Sequence, residues 1–236
     1  NPDDEYLQEI KSPIFYAVQK NINIQTGQPT ILDFDMQRIS QRINIVFNIR
    51  TEGNIKREDL AAPIIELSGA CGRFNIADAC LDTTRLYRMA HQVQPDEFTQ
   101  TGEGTYRCVV HFHTLGVIPS AAKGHLNGPG ILQVALQVST PQLDSSGAPV
   151  VDEEGNPVKN SRYIYGAINP YDELTAAQLI EVRDGKIYLR YSKEDVNIEI
   201  TTPLVIKADQ IVPNDTGMGW QPHDPTNPDD DIIIEI

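Results

Sequence analysis

Apolar residues recur at every second position in several short segments of this chain, and this spacing constrains the fold more than any other feature. The segment Ile43–Ile49 alternates between apolar and polar residues, interrupted only at Val46, and similar alternation covers residues 32–36, 106–112 and 132–138. Because successive side chains of a strand point to opposite faces, a period of two predicts half-buried β-strands. We therefore expect an all-β protein with little helix.

The length of the chain allows more than one domain. Its 236 residues suit one large β domain or two sandwiches of roughly 100–120 residues each. Residues 119–130 are rich in Gly and Pro and lack periodicity, which is typical of a linker. The sequence thus predicts two packed-sheet domains, residues 1–118 and 119–236.

Local signals refine this outline. Strands are predicted over residues 14–19 and 32–36 near the N-terminus. Asn169 and Pro170 precede two acidic residues, which predicts a short helix capped by Asn169. Asp184-Gly185 predicts a tight turn between two strands.

Charge and hydropathy exclude some partners. The formal net charge is −14, so the surface repels phosphate backbones, and we expect no nucleic-acid partner. No segment reaches the roughly 20 apolar residues that a membrane-spanning helix needs. The chain opens at Asn1 without Met, which is typical of a mature or trimmed protein from which a targeting segment was removed.

The three cysteines, Cys71, Cys80 and Cys108, cannot form a closed set of disulfides because their number is odd. Cys71 and Cys80 are close enough in sequence to pair across a loop. The favoured interpretation is three buried free thiols, with Cys108 facing inward from its strand.

Two groups of residues resemble metal ligands, but neither predicts a metal site. His111 and His113 share a face of one strand, which we expect to face solvent, and no third ligand is evident. Asp224, Asn227 and the acidic residues 229–231 are rich in oxygen, yet they lack the Gly and Glu of a calcium-binding EF-hand loop. We interpret the second group as a solvated acidic linker.

Signatures of catalysis are also missing from the sequence. It contains no G-x-S-x-G motif, no phosphate-binding P-loop and no dinucleotide-binding fingerprint. Trp220 is interpreted as a core or interdomain residue rather than a sugar platform. Tyr163, Tyr165 and Tyr171 either form a recognition surface or pack at the edge of a sandwich. We expect a protein that is not an enzyme and binds no cofactor.

The order of these segments resembles that of the fimbrillin-like proteins, which include the fimbrillin-associated anchor proteins of Bacteroidales. The resemblance rests on Phe34–Ile39 leading into Arg42–Ile49, on Ile65–Ala70 with its Leu-Ser-Gly, and on Thr105–Gly116. It continues through a second group of segments: Leu132–Val138, Tyr163–Gln178, Val196–Ile206 and the short strand after Trp220.

The resemblance implies two Greek-key, transthyretin-like β-sandwich domains and no catalytic residues. It also implies export as a lipoprotein to the outer membrane, anchored by an acylated Cys upstream of Asn1. The implied function is that of a surface fimbrial subunit or anchor whose partners are other fimbrial subunits or surface proteins.

Members of this family assemble by strand complementation, in which one chain supplies a strand to the open sheet edge of another. The candidate partner strand here consists of Ile232, Ile233, Ile234 and Ile236. The alternative for this segment is an ordinary last strand of its own domain. The alternative function is a surface glycan-binding lipoprotein, which needs an exposed aromatic platform.

Overall fold

The structure, a computed structural model, describes residues 6–24, 26–53, 55–190, 195–207 and 210–223, and it is built almost entirely of β-strands. The strands of the N-terminal half are β1 (Phe15–Tyr16), β2 (Gln37–Arg38), β3 (Gln41–Glu52), β4 (Ile64–Cys71), β5 (Phe74–Asn75), β6 (Cys80–Leu81), β7 (Leu86–Gln92), β8 (Phe98–Gly102) and β9 (Thr105–Thr114). Those of the C-terminal half are β10 (Leu132–Pro141), β11 (Lys159–Ile168), β12 (Ile180–Arg183), β13 (Lys186–Leu189), β14 (Val196–Lys207), β15 (Gln210–Ile211) and β16 (Gln221–Pro222). Helical structure within the described residues is limited to a 3₁₀ turn at Arg57–Asp59 and to α1 (Tyr171–Ala176). The predicted all-β class with little helix is confirmed.

Two five-stranded sheets enclose the main core, in the orders β16-β11-β10-β4-β7 and β15-β14-β3-β9-β8. Their alternating apolar residues point inward, as the period of two requires. On β3, the side chains of Ile43, Ile45, Phe47 and Ile49 are fully buried. They join inward-facing residues of β4, β9, β10 and β14 in one continuous cluster. The protein is therefore a β-sandwich.

The predicted division into residues 1–118 and 119–236 is not followed by the sheets. β14 pairs in parallel with β3, so that Ile198 lies opposite Ile45. β10 pairs antiparallel with β4, so that Leu132 lies opposite Leu67. Each sheet therefore combines strands from both halves, and the prediction of one sandwich in each half is wrong because the partners of β3 and β4 lie beyond residue 118.

The Gly- and Pro-rich segment 119–130 is attached to β4 rather than acting as a linker. The Ser68 hydroxyl donates to the Gly128 carbonyl (2.9 Å), and the Ile131 N–H donates to the Ser68 hydroxyl (2.9 Å). A Cβ placed on Gly69 would lie 2.7 Å from the backbone nitrogen of Gly130, so only glycine allows this approach. The glycines of this segment serve close packing between two backbones.

A smaller four-stranded sheet, in the order β12-β13-β6-β5, packs over a second apolar cluster. The predicted turn at Asp184-Gly185 joins β12 to β13, with φ of 50° and 72° at the two residues. The helix predicted after Asn169 is α1. Its N-cap is Pro170 rather than Asn169, whose side-chain amide donates instead to the Ala122 and His125 carbonyls.

The two strands predicted nearest the N-terminus are the least accurate of the strand predictions. The first is reduced to β1, which pairs with β2 in a two-stranded sheet. Residues 32–36 form no strand, although their apolar residues alternate as regularly as those of β3. Periodicity shows that a segment is able to bury one face in a sheet, but it does not show that another strand is present to pair with it.

The shared sheets predict how a fragment will behave. We expect residues 1–118, expressed alone, to remain unfolded, because β3 would lose β14 and β4 would lose β10. Circular dichroism and the dispersion of amide proton shifts measure this directly. A dispersed spectrum with a cooperative thermal transition would instead support an independent N-terminal domain.

Trp220 gives a second test of the common core. Its side chain is fully buried, its ring centroid lies 5.1 Å from that of Phe47, and its indole N–H donates to the Thr202 carbonyl (3.0 Å). We expect Trp220→Ala to lower the free energy of unfolding by about 3–5 kcal/mol, measured by urea denaturation. Met218→Ala, at a neighbouring exposed residue, is the control and should change it by less than about 0.5 kcal/mol.

Candidate interaction surface

The candidate partner strand, Ile232, Ile233, Ile234 and Ile236, lies outside the described residues. The chain approaching it is placed by β16, which pairs antiparallel with β11, setting Pro222 opposite Gly166. The His223 N–H then donates to the Tyr165 carbonyl (3.0 Å). The described chain thus ends beside β11.

Among the described strands, β16 pairs with β11 over only part of its length. The other side of β11 pairs with β10 over its full length, from Lys159 to Ile168. β16 reaches only Gly166 and Ala167, and the bond from His223 reaches Tyr165. No described strand pairs on that side with residues 159–164.

The side chains along this edge are exposed and mixed in character. Tyr163 stacks on Tyr165 with ring centroids 6.3 Å apart, and half of the Tyr163 side chain faces solvent. Arg162, on the opposite face of the strand, is also exposed. Lys159 at the end of the strand binds the Asp59 carboxylate (2.8 Å). Tyr163 and Tyr165 therefore lie on one face of the strand, and Arg162 lies on the other.

A second unusual surface is the segment between β1 and β2, residues 17–36, which we call the apolar arm. Its large hydrophobic side chains are exposed rather than buried, up to 84% at Ile31 and 76% at Ile24. The exposed set is Val18, Ile22, Ile24, Ile31, Leu32, Phe34 and Met36. Scattered apolar residues are normal on a protein surface, but the concentration of seven in this one segment makes the arm a candidate binding surface.

The chain around the arm is attached to the sandwich at a few points. Tyr16 packs edge-on against Phe74 of β5 (5.3 Å between centroids), and its hydroxyl donates to the Ile76 carbonyl (2.7 Å). Before β1, the Leu7 N–H donates to the Arg88 carbonyl (2.8 Å) and the Ile10 N–H to the His113 carbonyl (2.9 Å). Residues 6–16 therefore lie across the seam between β7 and β9, which belong to different sheets.

This N-terminal segment explains why one prediction about histidine is wrong. His113 was expected to face solvent with His111, but it is buried. Its Nε2 lies 2.9 Å from the Ser40 hydroxyl, which also accepts a hydrogen bond from the Ile14 N–H. Burial, together with the charges of Arg38 and Arg42, lowers the pKa of His113, so this ring is neutral near pH 7.

His111 belongs to a different group of side chains, which the sequence did not predict. The Glu97 carboxylate accepts the Gln94 N–H (2.7 Å) and lies 2.9 Å from Nε2 of His91 and 3.7 Å from Nε2 of His111. His91 is on β7 and His111 on β9, so Glu97 links the two sheets. No short motif connects these residues, and only the pairing of the strands brings them together.

The hydrogen bonds of Asn44 fix the orientation of His111. The Asn44 amide nitrogen donates to the Asn197 side-chain oxygen (2.8 Å), which leaves the Asn44 oxygen to accept from Nδ1 of His111 (2.7 Å). With Nδ1 carrying a proton, Nε2 faces the Glu97 carboxylate.

Burial disfavours ionisation of the Glu97 carboxyl. Its contacts with the Gln94 N–H and with the His91 and His111 rings favour ionisation more strongly, so the pKa of Glu97 lies below its ordinary value. The group contains no nucleophile that is poised to react. Cys108, which interacts electrostatically with Glu97, is buried, and its burial raises the pKa of the thiol to about 12. The arrangement therefore stabilises the contact between the sheets.

The remaining predictions concern the cysteines, possible metal ligands and membrane-spanning segments. All three cysteines are free and buried, as predicted, and burial also raises the pKa of Cys71 to about 12. Within the described ranges, no three His, Cys, Asp or Glu side chains are grouped so that they could hold a metal ion. The acidic cluster from Asp224 onwards lies outside those ranges. No helix in the described part of the chain is long and apolar enough to cross a membrane.

Comparisons with protein-family models, with curated proteins and with solved structures find no match to this chain.

The Glu97 group predicts a pH-dependent contribution to stability. Because the pKa of Glu97 is lowered by folding, its stabilisation is complete above the ordinary value of 4.5 and is lost as pH falls through the lower folded-state value. We expect Glu97→Gln to lower the free energy of unfolding by about 1.5–3 kcal/mol at pH values above this range. Urea denaturation over a pH series should show the difference from the wild type shrinking as acid is added.

Glu103→Gln, at an exposed residue, is the matched control and should follow the wild-type curve at every pH. A Glu97→Gln curve that runs parallel to the wild type through the acidic range would contradict this role of the carboxylate.

Proposed function

We propose that this protein is a non-catalytic, cell-surface fimbrial (pilus) subunit or anchor and assembly protein that acts through contacts between β-strands. The observation that supports this most strongly is the edge of β11 beyond β16, where no described strand pairs with residues 159–164. A long exposed edge recruits strands, and proteins that do not use one cover it or shorten it. The exposed hydrophobic residues of the apolar arm add a surface suited to protein contacts.

The proposal includes the location and partners that the family resemblance implies. The protein would be an exported lipoprotein at the outer membrane, attached to the membrane only through a lipid anchor. Its partners would be other fimbrial subunits or surface proteins. The acidic net charge of −14 is compatible with a soluble surface protein and argues against nucleic acid.

The segment from Ile232 to Ile236 remains the proposed donor strand. Its five residues contain four isoleucines, a residue type enriched in strands, and it follows the part of the chain that runs beside β11.

A second candidate function is glycan binding at the cell surface. The stacked pair Tyr163 and Tyr165 on β11 is the observation that favours it, because exposed aromatic rings pack against the apolar faces of sugars. The same rings are also suited to a protein interface, where Tyr is enriched.

Cross-linking of the full-length protein on its native cells, followed by mass spectrometry, tests the proposal. We expect fimbrial subunits among the captured proteins, with cross-links near residues 232–236 or along the β11 edge. Capture of glycan-uptake components, or of no protein at all, would overturn the fimbrial assignment and favour glycan binding.

A further inference from the structure

Residues 6–16, which we call the N-terminal strap, hold the base of the apolar arm against the sandwich. Leu7 packs against the main core cluster, and Ile10 and Tyr16 pack against the second cluster. Backbone hydrogen bonds from Leu7 and Ile10 attach the strap to β7 and β9. The strap therefore covers apolar surface where the two large sheets meet.

His113 of β9 forms the middle attachment of the strap. Its carbonyl accepts the Ile10 N–H (2.9 Å), and its ring forms a further hydrogen bond with the Ile10 backbone. Nε2 of the ring lies 2.9 Å from the Ser40 hydroxyl, whose oxygen accepts the Ile14 N–H (3.0 Å). One buried ring is thus connected to the strap at two positions, directly at Ile10 and through Ser40 at Ile14.

These contacts suit a neutral ring. When Nε2 carries no proton, it accepts the proton of the Ser40 hydroxyl, and the hydroxyl oxygen still accepts the Ile14 N–H. A proton on Nε2 turns this acceptor into a donor, so the hydroxyl proton loses its partner. Ser40 and His113 are both buried, and a buried polar group that loses its partner costs free energy.

Charged side chains face the ring from three elements. Arg38 of β2 and Arg42 of β3 disfavour a positive ring, whereas Glu9 of the strap favours one. Asp195 lies 3.9 Å from each arginine and offsets part of their charge. Burial has the largest effect and acts in the same direction as the arginines, so the pKa of His113 lies below its ordinary value of 6.5.

The lowered pKa of His113 links the strap to pH. Release of the strap exposes the ring and returns its pKa toward the ordinary value. Below pH 6.5 the released form therefore binds a proton that the attached form does not, and a fall in pH shifts the balance toward release. The shift ends below the pKa of the attached form, where both forms are protonated. Above pH 6.5 both forms are neutral, and the attachment has its full strength.

We propose that His113 makes the attachment of the N-terminal strap pH-dependent, so that protonation of its ring releases residues 6–16 from the seam between β7 and β9. The exposed segment then grows from the apolar arm, residues 17–36, to residues 6–36, and the apolar surface under the strap is uncovered. The sandwich keeps its sheets, because the strands of the two large sheets all lie outside residues 6–16. This inference does not depend on the proposed function.

Hydrogen–deuterium exchange of the full chain, followed by mass spectrometry, tests the release. Protection factors compare each exchange rate with that of an unstructured peptide at the same pH. Between about pH 7.5 and about pH 5.5, protection of wild-type strap peptides should fall by up to about tenfold, while that of β3 peptides should change little. Glu97 stays ionised over this range, because its pKa lies below 4.5.

A variant of His113 separates the ring from the other titrating groups. The amide of His113→Gln offers a donor and an acceptor but does not titrate, so protection of its strap should be the same at both pH values. His125→Gln, at an exposed histidine, is the matched control and should lose protection as the wild type does. Circular dichroism and thermal unfolding confirm that each variant is folded.

NMR titration of the His113 ring in the wild type needs no variant. Its pKa should lie below 6.5, and the Ile10 and Ile14 amides should lose protection as pH falls below that value. Three outcomes would each overturn the inference: a His113 pKa at or above 6.5, wild-type strap protection that is the same at both pH values, or an equal loss of protection in His113→Gln.

Discussion

Burial of one continuous apolar core by strands from both halves of the chain is the constraint on which the rest of the structure depends. β3 lies between β14 and β9, and its four inward residues are fully buried. β4 is held in the facing sheet by β10 and β7. Because neither half completes these sheets, the helix packs on a core that both halves form, and the small sheet itself joins β13 to β6 across the halves.

The sequence predicted strands well where burial followed periodicity. The alternation in residues 43–49, 106–112 and 132–138 corresponds to β3, β9 and β10. The prediction of a strand failed at residues 32–36, where the same alternation is present but no described strand pairs with the segment. The pairing of β14 with β3 carries no local signal, since the two strands are separated by most of the chain. The glycines made segment 119–130 resemble a linker. Glycine is typical of flexible linkers, but it is also the residue that allows two backbones to pack closely, as they do here.

The candidate surface was predictable only in part. The proposed strand-mediated role rests on the pattern of strands and on the family resemblance, whereas the position of the β11 edge depends on where β16 pairs with β11. Similarly, His91, Glu97 and His111 are ordinary residues in sequence, and they become a group only when β7 and β9 approach each other. Local patterns identify elements, whereas the edges and seams that carry function arise from how distant elements pair.

The parallel pairing of β3 with β14 also bears on when the protein is able to fold. Contacts between residues far apart in sequence form slowly, because a long loop must close before they are made. During synthesis, β3 and β9 emerge long before β14, so the core sheet stays incomplete until nearly the whole chain is available. Such a chain remains in an unfolded state for longer than one whose domains close in turn.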